Sequence, residues 1–157
     1  MKIALWMIGK TDLEYLKAGM QIYEKRLERY FPFEKLTLPD VKRSKKSSPS
    51  YVKEAESKLI LSKLQSGDAL VLLDERGRTF SSTDFAQYME QQLYQSHRRL
   101  IFLIGGAYGF SDEVYKRAIQ KISLSKMTFS HQMVRLIFLE QLYRAMSILN
   151  NEPYHHE

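Results

Sequence analysis

Apolar residues fall into two rhythms along this chain. Four segments read as buried strands: Lys2–Ile8, Phe33–Leu38, Ala69–Asp74 and Leu100–Ile104. Three of them are short continuous apolar runs, the pattern of parallel strands covered on both faces. Between them the apolar positions step by three and four. Leu13, Leu16, Met20, Tyr23, Leu27 and Tyr30 make one stripe of a helix. Val52, Ala55, Leu59, Ile60 and Leu64 make a weaker one, and Phe85, Met89 and Leu93 define a helix over Thr83–Tyr94. Alternating strands and helices predict an α/β domain with a mainly parallel sheet and helices on both faces. The length of 157 residues suits one domain, 1–157. Ligands of such sheets bind beyond the carboxyl ends of the strands. The informative loops are therefore those after Leu73 and Ile104, and whatever follows Ile122.

Two stretches depart from these rhythms. From about Ser130 to Asn150 a final helix is apolar in nearly every direction, including Met133, Val134, Leu136, Ile137, Phe138, Leu139, Leu142 and Tyr143. A helix of this kind is buried all round. A terminal helix of a small domain hides one face against its own chain, so a symmetric dimer is the natural cover for the other. The second stretch, Asp40–Ser50, places Lys42, Arg43, Lys45 and Lys46 among serines and reads as a basic surface loop, with contact to RNA phosphate as its sharper meaning.

Composition narrows the function classes. A net charge of +6 favours polyanionic partners, nucleic acid first among them, although charge speaks to association rather than fold. With no cysteine there is no disulfide framework, thiol nucleophile or Cys-based zinc site. The N-terminal run Ile3–Ile8 is too short to span a bilayer and lacks a cleavage site, so a cytoplasmic protein is expected.

Three strand ends carry candidate chemistry. One is Leu72-Leu73-Asp74-Glu75-Arg76-Gly77-Arg78, read as a strand entering a polar turn. The next is Ile104-Gly105-Gly106-Ala107-Tyr108-Gly109-Phe110, a glycine turn before a helix capped by Ser111. Glycine lets a ligand approach the backbone, but a tight turn explains a Gly-Gly pair equally well. Neither the dinucleotide fingerprint nor the GxxxxGK[ST] phosphate loop is present. The third is Leu124-Ser125-Lys126-Met127-Thr128-Phe129-Ser130-His131, where Ser130 is a candidate N-cap. His131 at that helix start is either a proton-transfer group or a hydrogen-bonded structural residue. His155 and His156 stand together in the tail, a poor zinc site without a third ligand, and no metal is expected. Glu140 and Arg144, at i,i+4, are placed to pair, whereas Arg135 on the apolar helix must be paired or line a pocket.

The segments LLDERGRTFSS, IGGAYGF and SLSKMTFSHQMVRLIFLEQLYRAMSI and the tail EPYHHE, with MKIALWMIGK and YEKRLERY before them, resemble the ribosomal RNA large subunit methyltransferase H family over nearly the whole chain. The resemblance implies a SPOUT-class α/β fold with a deep C-terminal trefoil knot, a homodimer, and S-adenosyl-L-methionine bound in the knot. It also implies methylation of N3 of a pseudouridine in the helix 69 loop of 23S rRNA on the assembled ribosome. Carried over by position, the cofactor site comprises Leu73, Gly105, Leu124, Ser125, Lys126, Met127, Thr128 and Phe129. The substrate side comprises Arg135, Arg144, Tyr154 and His155, with His155 and His131 as candidate proton acceptors and Tyr154 as a platform for the target base. Many relatives have proline at the position of Ser130 and a basic residue at that of His156. Two other readings compete: a non-catalytic ribosome-binding factor with the same fold, and a flavodoxin-like nucleotide-binding domain. An intact LSKMTF loop speaks against both.

Overall fold

A computed structural model describes residues 1–41 and 47–156. The basic residues Lys42, Arg43, Lys45 and Lys46 lie outside the described residues. The elements run β1 (Lys2–Ile8), α1 (Glu14–Leu27), β2 (Phe33–Leu38), α2 (Pro49–Lys63), β3 (Asp68–Thr79), α3 (Ser82–Leu93), β4 (Arg99–Ile104), α4 (Asp112–Arg117), β5 (Gln120–Ser123) and α5 (Met133–Leu149). The strands form one sheet in the order β2-β1-β4-β3-β5. Every pairing is parallel.

The side-chain alternation of β1 assigns the layers. Ile3, Leu5 and Met7 face a core with residues of α1, α3 and α5, while Ala4, Trp6 and Ile8 face one with α2 and α4. β2 carries alternating polar residues because it is an edge strand, half-exposed along most of its length. Serine side chains fix three helix starts: Ser48 accepts from Tyr51 N ahead of Pro49, Ser81 from Asp84 N, and Ser111 from Val114 N.

α5 lies between α1 and α3, with Phe138 against Phe102 of β4 at a ring separation of 4.8 Å. Much of its apolar circumference is therefore covered inside the chain, while Leu136, Ile137, Ile148 and Leu149 stay half-buried. The helix begins at Met133, later than Ser130. Ser130 still accepts from Met133 N at 3.1 Å, so its hydroxyl caps the turn leading into the helix.

The expected turn after Leu73 is instead a bend within a longer strand. β3 runs to Thr79, and Leu73 and Arg78 both register with Ile122 of β5 across a shift. Gly77 makes that possible, since a Cβ there would sit 2.5 Å from Ile122 N and 2.6 Å from Lys121 C. The bent strand thus lies directly against the backbone of β5. Among the described residues, no helix is long and apolar enough to cross a membrane.

Candidate functional site

The carboxyl ends of β3, β4 and β5 open into a cleft of about 630 Å³. Of the positions expected to hold a cofactor, Leu73, Gly105, Leu124, Ser125, Met127, Thr128 and Phe129 line it, as does His131. The exposed side chain of Lys126 does not. Gly105 follows β4 so closely that a Cβ would meet the Phe110 ring at 2.8 Å, and the cleft wall there is bare backbone. The 124–129 bend is shaped from inside. Ser123 Oγ donates to Ser125 O at 2.9 Å, and Ser125 Oγ accepts from Met127 N at 2.9 Å. That turn sends Met127 outward, where its side chain is 78% exposed over the cleft mouth.

Sequence reasoning missed two polar residues of the floor. Tyr115 Oη donates to Asp74 Oδ2 in a short hydrogen bond, while Asp74 Oδ1 accepts from Arg76 N at 2.9 Å. Burial first, then the bond to Asp74, pushes the Tyr115 phenol up to about 12. Asp74 was visible at a strand end. Tyr115 carried no signal, because only the packing of the short helix α4 aims it at the cleft.

The other expected substrate residues lie elsewhere. Arg135 is 2% exposed and spends its terminal donors on the chain: Nη1 on Gly9 O at 2.9 Å and Thr11 Oγ1 at 3.0 Å, Nη2 on Ile8 O at 2.8 Å. Burial lowers its pKa, with Asp40 and Asp12 pulling the other way. Within this chain Arg135 satisfies the carbonyls at the end of β1 rather than reaching toward a phosphate. Its neighbour Gln132 does similar work, accepting from Asp12 N at 2.8 Å and donating to Lys10 O at 3.1 Å. Together they pin the start of α5, and the bend before it, to the loop after β1.

Arg144, Tyr154 and His155 form a cluster that does not line the cleft. Arg144 pairs with Glu140 at 2.5 Å, as the spacing predicted, and Tyr154 Oη donates to Glu140 Oε1 at 3.0 Å. The Arg144 guanidinium lies 4.8 Å from the Tyr154 ring centroid, and Tyr143 meets that ring at 69°. Burial, the hydroxyl of Tyr23 and the charge of Glu140 raise the Tyr154 pKa. Arg144 Nη1 is 3.1 Å from His155 Nδ1. A guanidinium only donates, so Nδ1 accepts and the proton of the neutral ring is assigned to Nε2.

The comparisons agree with this geometry. A family model described as "Predicted SPOUT methyltransferase" matches residues 1–155. A protein of Parabacteroides distasonis named "Ribosomal RNA large subunit methyltransferase H" is 57% identical over 157 residues, all of both chains. One of the same name from Cytophaga hutchinsonii is 58% identical over 156 residues, covering 99% of this chain and 100% of its own. Another from Christiangramia forsetii is 56% identical over 99% of each chain. The glycine turn after β4, the serine-braced bend after β5 and the match along almost the whole sequence lead to one conclusion: this chain belongs to the SPOUT methyltransferase family.

Proposed function

We propose that the chain transfers a methyl group from S-adenosyl-L-methionine to 23S ribosomal RNA. The target is N3 of a pseudouridine in the helix 69 loop of the assembled ribosome. The chain acts in the cytoplasm as a homodimer of one domain spanning 1–157, without a metal. The observation that carries this reading is the meeting of Gly105 and Met127 in one cleft at the strand ends.

The residues present fit the donor. The cleft has the size of small-molecule sites. Its bare wall at Gly105 admits a flat ring against the backbone, and Leu73, Leu124 and Met127 supply apolar sides. Asp74, Glu75 and Asp112 in its lining suit the sulfonium and ammonium of the donor, and Lys53 and Arg76 beside them suit its carboxylate. When bound, the donor supplies a methyl group on an electron-poor sulfur. The chain's own task is to align the acceptor, where orientation is worth roughly 7–11 kcal/mol, and to take the imide proton from N3.

His155 takes that proton, with His131 at the cleft as the second candidate. For His155 to act, its Nδ1 must exchange the Arg144 donor for the N3–H of the base. Tyr154 offers its ring as the platform for a loop nucleotide, which is more easily splayed out than a paired one. Because the tail cluster does not line the cleft of its own chain, a second copy is the natural source of these groups. A C-terminal trefoil knot is part of this reading, and the bend of β3, paired with Ile122 from both its arms, is consistent with it.

Mass spectrometry of 23S rRNA from cells lacking the gene tests the reading. One methyl group should be missing from the helix 69 loop and return on complementation; unchanged rRNA overturns the assignment. Calorimetry with S-adenosyl-L-methionine separates an enzyme from a non-catalytic ribosome-binding factor, which takes up no donor.

A further inference from the structure

Beside the cleft, on the outer side of the β3 bend and β5, lies a second, more open groove of about 470 Å³. Its lining includes Arg76, Arg78 and Lys121, and no carboxylate. All three side chains are exposed, and among the described residues none is in a salt bridge. The arrangement follows from the backbone. Gly77 presses on β5, so its neighbours Arg76 and Arg78, two apart on an extended strand, share one face. Lys121 rises from β5 opposite them, with its ammonium 5.4 Å from the Tyr115 ring centroid. The Arg78 guanidinium lies 4.4 Å from the Phe80 ring centroid. Arg76 and Tyr115 belong to both the groove and the cleft, so the two are continuous.

The two hollows differ in charge. In the cleft Asp74, Glu75 and Asp112 stand beside Lys53 and Arg76, a mixed lining that fits a donor bearing both signs of charge, while the charged residues of the groove that runs out of it are all cations. We propose that this groove is a track for RNA phosphates, in which Arg76, Arg78 and Lys121 hold the backbone flanking the nucleotide that enters the cleft. The proposal rests on the RNA-methyltransferase reading and specifies where its substrate lies. A planar guanidinium grips phosphate through two parallel bonds, and clustered cations need no base sequence to do so. Such contacts position the strand; they do not read it.

The test is the double variant R78Q/K121Q, whose substituted side chains line the groove and not the cleft. Its measurements are calorimetry with S-adenosyl-L-methionine, and co-sedimentation and methylation kinetics with ribosomes from a strain lacking the gene. Donor affinity and kcat at saturating ribosomes should stay within about twofold of wild type, as expected when only uniform binding is lost. KM for ribosomes should rise by roughly tenfold, and the slope of log affinity against log salt should shrink by about one to one and a half for two phosphates lost. R78K/K121R, which keeps the charges, should recover most of the affinity. K63Q/R98Q, which removes equal charge from exposed positions near the opposite ends of the strands, should not reproduce the change. An unchanged KM and salt slope in R78Q/K121Q overturns the track, as does an equal loss in K63Q/R98Q. Wild-type protein that binds ribosomes through this groove but transfers no methyl group overturns the catalytic reading and leaves the track standing.

Discussion

The cleft and the tail cluster are built in opposite ways. The cleft is shaped mainly by backbone, with a bare glycine wall at Gly105 and a bend braced by Ser123 and Ser125, and it has one short side-chain bond, Tyr115–Asp74, beneath. The tail cluster is a side-chain construction, in which Glu140 accepts from both Arg144 and Tyr154 and Arg144 reaches on to His155. One leaves room for a ligand, and the other fills its room with its own partners. If His155 takes the proton, as proposed, the site needs both regions, and a single chain does not bring them together. That difference argues for chemistry shared between two copies.

The sharpest way to break this comparison is to damage each region separately and mix the products. Gly105→Val drives a branched side chain into the Phe110 ring and should weaken donor binding more than 100-fold, an expectation drawn from overpacking a wall that has no slack. His155→Ala should leave donor binding intact and lower turnover by about 10²- to 10⁴-fold, the usual worth of a positioned acid or base. If the tail of one copy serves the cleft of the other, mixed dimers regain one intact site, and about a quarter of wild-type activity returns by random pairing. No recovery on subunit exchange removes the sharing between copies. Full turnover of H155A at saturating ribosomes removes the role of His155.

Arg135 clasps α5, the helix that carries Glu140 and Arg144 of the tail cluster, to the end of β1. Arg135→Met keeps the apolar stem but strands Ile8 O and Gly9 O without their donors. At about 1–3 kcal/mol for each unsatisfied buried group, the loss should reach roughly 2–4 kcal/mol in urea unfolding. A change below about 0.5 kcal/mol means that the carbonyls find water and that the pin is dispensable.

A smaller effect should appear in alkali. Tyr30 is pushed up to about 12 by burial and its bond to Glu152, Tyr88 to about 12 by burial, and Tyr115 to about 12 as described. The Tyr154 pKa is raised as well. A folded protein that keeps protons the unfolded chain gives up near pH 10 has their full stabilisation below that value. It loses the stabilisation as the pH climbs through the folded pKa. Denaturant midpoints should therefore fall between about pH 10 and about pH 12. Y154F should flatten the fall through the tail, and Y115F through the cleft. If neither flattens it, burial of these hydroxyls does not govern the alkaline limit.

Much of this architecture was legible from period alone. Apolar runs such as Ile3–Ile8 and Leu100–Ile104 have only one comfortable home, a strand covered on both faces, and the three-four stripe of Leu16, Met20 and Leu27 fixed the buried side of α1. The loops that line the cleft were legible too, since ligands collect at strand ends in parallel sheets. Two local readings were incomplete for a common reason. The turn after Leu73 proved to be a bend, because β5 pairs with both its arms; Arg135, expected at the substrate, proved to serve the end of β1. Each depends on a partner far away in the chain, and pattern within a short window carries no trace of it.

Residue order by itself determined the layers, the parallel sheet and the three loops that meet at its edge, because burial periodicity and glycine freedom act over a few residues. Only tertiary structure decided that Tyr115 underlies the cleft, that Arg135 is a clasp, and that a basic groove continues outward past Arg78. Those outcomes are set by which carbonyls and charges end up adjacent once β3 folds against β5, and hydrogen bonds and electrostatics act across space rather than along the chain.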